Sequence, residues 1–459
     1  MKSITDTHVD WPSWLDVVRV LSMEDYNTRV VMLGAVLLGI AAGLIGTFML
    51  LRKRALMGDA VSHSTLPGIG IAFLVMTAHG GSGRWLPGLL IGAMVFGLLG
   101  MGAVLAIRSQ TRLKEDAALG IVLSVFFGLG IAVLGLVQQQ TLGHAAGLES
   151  FIYGKTASML ARDASLIAAV AGVIAAFCTV FFKEFSLICF DQDYAQSQGW
   201  SVLFLDVIMM ALVVAVTVIG LQAVGLILMI ALLIIPPAAA RFWTHQLGRM
   251  MLLSALIGGV SCYIGGAFSA LLPRLPAGAI IVVVGGIIFL VSMVFGTARG
   301  ILRRFIEHYT LARQVGWQHL LRALYEWNEG HAENGQLTAA NLAEPMPLPA
   351  LTAARSWSAN RLKRLLVRAR RAGAVTWLPG GAAQLTEEGF HEARRVVRNH
   401  RLWETYLITH ADIAPVHVDG SADVIEHVLG EAMVAHLERL LAREHPELAV
   451  PPSPHVMGA

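Results

Sequence analysis

The chain of 459 residues is 56% hydrophobic and only 14% charged, with a mean hydropathy of +0.64. A soluble protein of this length could not cover its surface with so few charges, which excludes a wholly water-solvated molecule and makes the bilayer part of its solvent. The formal net charge of +3 is too small to name a partner, and the three cysteines (Cys178, Cys189, Cys262) read as buried thiols because they sit in or beside apolar runs without zinc-type spacing.

The first 29 residues carry acids and a Trp-Pro pair, with no basic leader or small-residue cleavage site, and read as an N-terminal segment that is not a cleaved signal. Trp11, Trp14, Leu15 and Val18 suggest a short amphipathic helix there, lying at a membrane interface. A hydrocarbon core of about 30 Å needs about 20 apolar residues per helix. Apolar runs of that kind predict spans over 30–50, 60–78, 86–107, 117–137, 164–183, 202–220, 222–240, 250–272 and 277–297. The stretch 202–240 is too long for one crossing and is divided at Gly220–Gly225. The fold class is thus an all-α polytopic membrane protein of about nine helices over 30–298, followed by a mainly α tail.

Basic residues set the orientation. Arg52, Lys53, Arg54, Arg108, Arg112, Lys114, Lys183, Arg241, Arg249, Arg299, Arg303 and Arg304 all fall on one side of a nine-span layout. The opposing loops hold only Arg84, Lys155, Arg162 and Arg274. The positive-inside rule places the first set, and the tail from 298 onward, in the cytosol, with residues 1–29 outside.

Asp59 and His63 are four residues apart and share one helical face, where both can reach one ion. A carboxylate with an imidazole suits manganese, zinc or ferrous iron better than magnesium or calcium. The same spacing also fits two solvated residues idle at a helix end. Pro67-Gly68 is expected to break the helix just beyond them. Asp206, a lone acid at the start of the sixth span, reads as a snorkelling or interfacial group. His144 and Glu149 read as an idle pair in an outer loop. Gly154-Lys155-Thr156 is no phosphate loop, because Glu149 stands where the required upstream glycine belongs.

The run from Leu51 to Gly68, LRKRALMGDAVSHSTLPG, resembles the signature of the ABC-3 family, the permeases of manganese, zinc and iron importers. Matches follow in order at Lys114–Val122, Phe190–Gly199, Val224–Leu228 and Leu233–Ala240. The resemblance implies a permease dimer, homomeric or heteromeric, in the inner or plasma membrane. It also implies an extracytoplasmic binding protein that delivers the metal and a separate ABC ATPase that supplies the energy, so that this chain is a transport subunit rather than an enzyme. The divalent ion (manganese, iron or zinc) is then cargo. The metal path falls on Asp59 and His63, and the helix that couples to the ATPase falls on Asp191, Asp193, Ala195 and Gly199.

After a linker at 299–316, helical spacing of Leu320, Leu321, Leu324 and Trp327 opens a soluble region. A second helix is expected after Thr338 and a basic third one over Ser358–Gly373. Val375–Trp377, a Gly380-Gly381 turn and Ala383–Leu385 then read as a hairpin, completing a winged helix-turn-helix over 317–385. Arg361, Lys363, Arg364 and Arg368 are its candidate phosphate contacts. Residues from Leu385 to Leu429 resemble the metal-binding and dimerisation region of the DtxR/MntR repressors, which defines a helical domain over 386–445 before a tail at 446–459. That resemblance puts a regulatory divalent metal on His400, Asp423, Glu426 and His427, with Glu404 as a fifth ligand. The first helix departs from the family, offering His319 and Arg322 where acidic or sulfur ligands belong, and the prolines in Glu344–Pro349 are expected to expand the helix-turn-helix turn. The reading is a metal-ion permease with a regulator-derived cytosolic domain that senses metal or dimerises. DNA is not an expected partner. The alternative is a membrane-tethered, metal-responsive DNA-binding regulator.

Overall fold

The computed structural model describes residues 13–331 and 344–411, apart from 55, 82, 84, 140–158, 273–274, 355–356 and 380. The chain divides into two compact units, Met1–Arg304 and Phe305–Ala459.

In the first unit α1 (Trp14–Leu21) precedes α2 (Tyr26–Leu51), α3 (Met57–Ala78), α4 (Leu86–Gln110) and α5 (Glu115–Gln138). Then come α6 (Ala161–Val180), α7 (Phe182–Phe190), α8 (Gln192–Ser197), α9 (Val202–Val224), α10 (Leu226–Ala240), α11 (Leu247–Leu271) and α12 (Ala277–Phe295). Eight of the described helices are long and apolar enough to cross a membrane. The ninth expected span is α10, which has only 15 residues. It measures about 22 Å at the α-helical rise, short of the hydrocarbon thickness. Gly225 makes the break before it, with φ at +87°, a conformation that L side chains resist. At the other end of the chain α1 leaves Trp14, Leu15 and Val18 exposed, while Tyr263 of α11 donates to the Leu21 carbonyl at 2.8 Å.

Helices in lipid gain little from apolar burial against one another, so small residues that let backbones approach decide the packing. A Cβ on Gly39 of α2 would lie 2.5 Å from the Gly258 carbonyl oxygen of α11, and Ser254 donates to the Gly43 carbonyl at 2.7 Å. Gly68 of α3 and Gly92 of α4 meet in the same way. A Cβ on either would stand 2.2 or 2.4 Å from the other's carbonyl oxygen.

The expected helix break at Pro67-Gly68 does not occur, and α3 runs through both residues. Pro67 removes one donor, but α3 is packed between α4 and α5 where no water competes for its backbone. Ser62, Ser64 and Thr65 also bond back to the carbonyls of Gly58, Ala60 and Ser62 at 2.7 Å. Those bonds satisfy three buried hydroxyls within the helix.

In the second unit α13 (Ile301–His331), which starts just before the unit boundary, leads to β1 (Met346–Pro347), α14 (Leu348–Ala354) and α15 (Ala359–Arg371). The hairpin β2 (Val375–Leu378) and β3 (Ala382–Leu385) and the long α16 (Glu387–Ala411) follow. The sheet order is β1-β3-β2, antiparallel, with Val375 opposite Leu385 and Met346 opposite Ala383. This is a winged helix, closed around Leu320, Leu324, Leu351, Leu362, Leu366 and Phe390. The proline run does not expand the helix-turn-helix. Met346-Pro347 is the first strand and Pro349 lies in the first turn of α14, where an N–H has no intrahelical partner to lose. The second helix of the motif is α14; residues 332–343, where it was expected to begin, lie outside the described residues.

Gly68→Ala should lower the thermal midpoint of the purified protein by the equivalent of about 1–3 kcal/mol, because a backbone carbonyl cannot step aside for the methyl group. Gly128→Ala, whose Cβ would meet nothing within 4 Å, is the control and should be neutral or stabilising.

Candidate metal path

Asp59 occupies the first turn of α3, where the free N–H groups of the helix favour an anion. Its Oδ1 lies 3.3 Å from Nε2 of His63, with side chains 31% and 18% exposed. The His63 ring meets Phe127 of α5 edge-on at 4.9 Å, which fixes its plane. Its buried Nδ1 has no hydrogen-bond partner among the described residues. A semi-exposed carboxylate and a ring nitrogen this close can hold one divalent ion between them. The described residues contain no cluster of three His, Cys, Asp or Glu side chains, so an ion here completes its shell with water, backbone or hydroxyl oxygens, or a second chain.

The segment 191–199 is a small capped helix. Asp191 accepts from the Tyr194 N–H at 2.9 Å as N-cap of α8. Ala195 is fully buried and seats the helix, while Asp193 stays exposed. Gly199 ends it at φ +84°, its N–H donating to Gln196 and the Trp200 N–H reaching back to Ala195. That pair of bonds is a Schellman stop. A six-residue helix held at both ends and standing between α7 and α9 can carry a push without fraying.

Asp206 does not snorkel to an interface. It is buried near the start of α9 and ringed by arginines. Arg52 Nη2 donates to both of its oxygens at 2.7 Å, and Arg54 Nη2 donates to Oδ2 at 3.3 Å. Arg108 approaches at 3.9 Å and also pairs with Glu115 at 3.5 Å, a residue that Arg54 contacts as well. The sequence carried a signal for this: a lone carboxylate at membrane depth demands a partner, and the basic residues used to set orientation were that partner.

In the second unit Arg361, Lys363, Arg364 and Arg368 lie on the exposed face of α15 and line a groove of 620 Å³ with Tyr309 and Arg313 of α13. Arg368 is also stacked 5.7 Å over the Trp317 ring. His400 and Glu404 are buried on α16, with Nε2 to Oε1 at 3.0 Å. On the other side of the imidazole, Arg322 Nη1 lies 3.1 Å from Nδ1, and Arg322 also binds Glu326 at 2.6 Å. Arg401 pairs with both oxygens of Glu329, tying α16 to α13. Asp423, Glu426 and His427 lie outside the described residues, as do His144, Glu149 and Lys155.

A multi-pass helical unit with a charged pair on a buried helix, a capped loop helix and a winged-helix tail defines a membrane permease with a regulator-like appendage. The profile of the ABC 3 transport family matches residues 24–296, and the chain belongs to that family. A second profile, the iron dependent repressor metal binding and dimerisation domain, matches residues 386–448. The manganese transport system membrane protein MntC of Bacillus subtilis is 36% identical over 399 residues, covering 87% of this chain and 88% of that protein. The zinc transport system membrane protein TroC of Treponema pallidum is 45% identical over 61% of this chain and 92% of its own length. A solved structure of PsaBC from Streptococcus pneumoniae in complex with Fab is 30% identical with a TM-score of 0.53, covering 63% of this chain and 98% of that one.

The repressor-type region implies a resident metal, and the described part of its ligand set does not fit one. His400 Nδ1 faces a permanent cation, Arg322, and Nε2 faces Glu404, so the imidazole is already bridged on both sides. A divalent ion there would meet guanidinium repulsion. Arg322→Ala leaves His400 without that donor and should destabilise the protein by about 1–3 kcal/mol. Manganese should then raise the melting temperature of the variant, by binding the folded state only, and leave the parent unchanged; a thermal-shift titration on an Asp59→Asn background reads both.

Proposed function

We propose that this chain is the permease subunit of an ABC importer for a divalent transition-metal ion, with manganese as the first candidate. The observation that carries the reading is the Asp59–His63 pair, 3.3 Å apart on a helix buried in the membrane unit. Ionisable groups on a membrane-spanning helix are costly and mark ion paths, and a carboxylate with an imidazole suits manganese, iron or zinc. Support for manganese comes from the B. subtilis relative, whose alignment of 399 residues is longer than the membrane unit and must reach into the tail.

The chain carries no nucleotide-binding motif, so a separate ABC ATPase supplies the energy, and α8 with Asp191, Asp193, Ala195 and Gly199 is where it docks. An extracytoplasmic binding protein delivers the ion, two permease chains enclose the path, and the second unit lies in the cytosol. With α10 counted as a crossing, as in the nine-span layout, the arginine-rich loops all lie on that side, as the positive-inside rule requires. In the tail, Arg322 blocks the described ligands, so the domain acts in dimerisation beside the transporter rather than as a metal-gated repressor. The basic groove keeps a salt-sensitive, sequence-independent affinity for polyanions.

Asp59→Asn and His63→Ala should each abolish manganese uptake by the reconstituted transporter while leaving insertion and assembly intact. Uptake at the parent rate by both variants would remove the site. A cysteine placed at position 193 should react with a membrane-impermeant thiol reagent only after the cytoplasmic face is opened. Labelling in intact cells would reverse the topology and move α8 away from the ATPase.

A further inference from the structure

Arg52 stands at the C-cap of α2 and its guanidinium faces two helices at once. Nη1 donates to the Ile188 carbonyl, in the last turn of α7, at 2.7 Å. Nη2 donates to both oxygens of Asp206, on the second turn of α9, at 2.7 Å. The α8 helix lies between those two anchor points in the chain, so one planar side chain closes the hairpin that presents α8. Both ion-pair partners are almost dry, 2% and 5% exposed, so the geometry is neither screened nor loosened by water.

The other end of Arg52 is equally committed. The chain from α2 to α3 is a tight turn in which the Lys53 N–H donates to Leu50, the Arg54 N–H to Met49 and the Met57 N–H to the Arg54 carbonyl. Lys53 adopts φ +60°, the left-handed conformation that ends many helices and that costs a lysine more than a glycine. Arg54, buried beside it, pairs with Asp206 and Glu115. Two residues after Met57 comes Asp59. A displacement of the α7–α8–α9 hairpin therefore reaches the first turn of α3 through one guanidinium and the Arg54 carbonyl to which Met57 is bonded. Apolar contact between α7 and α2, such as Phe48 against Phe185 at 5.3 Å, permits sliding, whereas a bridge with three fixed bonds does not.

We propose that Arg52 is the positioning residue that couples the ATPase-facing hairpin to the metal-bearing helix α3, so that movement of α8 resets the geometry of Asp59 and His63. The inference rests on the roles of α8 and of Asp59–His63 proposed above. It assigns Arg52 no contact with the ion. It also gives the buried charge cluster a purpose, since a pair of this kind brings little net stability over an apolar replacement.

The test uses the assembled transporter, with its ATPase and binding protein, in proteoliposomes, and manganese as the probe. Arg52→Lys keeps the charge but loses the planar fork, which one ammonium cannot replace across both partners. Manganese taken up per ATP hydrolysed should fall by about tenfold, while manganese bound to the resting complex stays within about twofold of the parent. Asp206→Asn should behave alike, and the double variant should be no worse than the worse single, as for two ends of one bridge. Arg108→Gln, which touches the cluster but not Ile188, should keep the ratio. An unchanged ratio in Arg52→Lys, multiplicative losses in the double variant, or equal uncoupling by Arg108→Gln would overturn the assignment. A loss of uptake in strict proportion to bound manganese would mean a structural role only and would overturn it too. Asp59→Asn, run in parallel, separates the two readings: normal uptake there removes the metal path itself, whatever the ratio in Arg52→Lys.

Discussion

Close approach of helix backbones at glycine is the constraint on which the membrane unit depends. Where Gly39 meets Gly258 and Gly68 meets Gly92, the first atom that a Cβ would strike is the facing backbone carbonyl oxygen, which cannot repack. Association in lipid rests on such contacts because apolar surface gains nothing by leaving an apolar solvent. The Gly68–Gly92 contact also sets where α3 stands against α4, and hence where Asp59 and His63 open. The chemistry of the pair is written in two residues, but its position is written in residues that carry no chemistry at all.

Much of the architecture was legible from composition. Apolar runs of membrane length located the helices, and the turn at Gly380-Gly381 with a basic helix before it located the wing. What misled was local punctuation. Pro67-Gly68 reads as a stop in water, but the missing donor is tolerated where neighbouring helices pack on every side. The prolines of Glu344–Pro349 read as an expanded turn because a two-residue strand, β1, is too short to show a period of two. The strand becomes visible only when Ala382 and Ala383 pair with it.

At the candidate site, the Asp59–His63 spacing was readable because an i,i+4 pair needs only a helix to bring it together. The arginine cluster around Asp206 was not, since Arg52 and Asp206 are 154 residues apart and only the packing of α2, α7 and α9 joins them. The caps of α8 fall between these cases. Asp191 and Gly199 are placed by local rules, yet what makes the helix rigid is the burial of Ala195 and the hairpin closed by Arg52.

The guanidinium of Arg322 against His400 has a consequence for what the tail can report. A repressor measures concentration because its ion comes and goes, and the fraction of time the site is filled is the message. A cation attached to the same chain is present at an effective concentration that no change in the surrounding metal supply alters. The position is filled whether the cell is starved or replete. A detector whose input is soldered in place carries no signal through that nitrogen of His400.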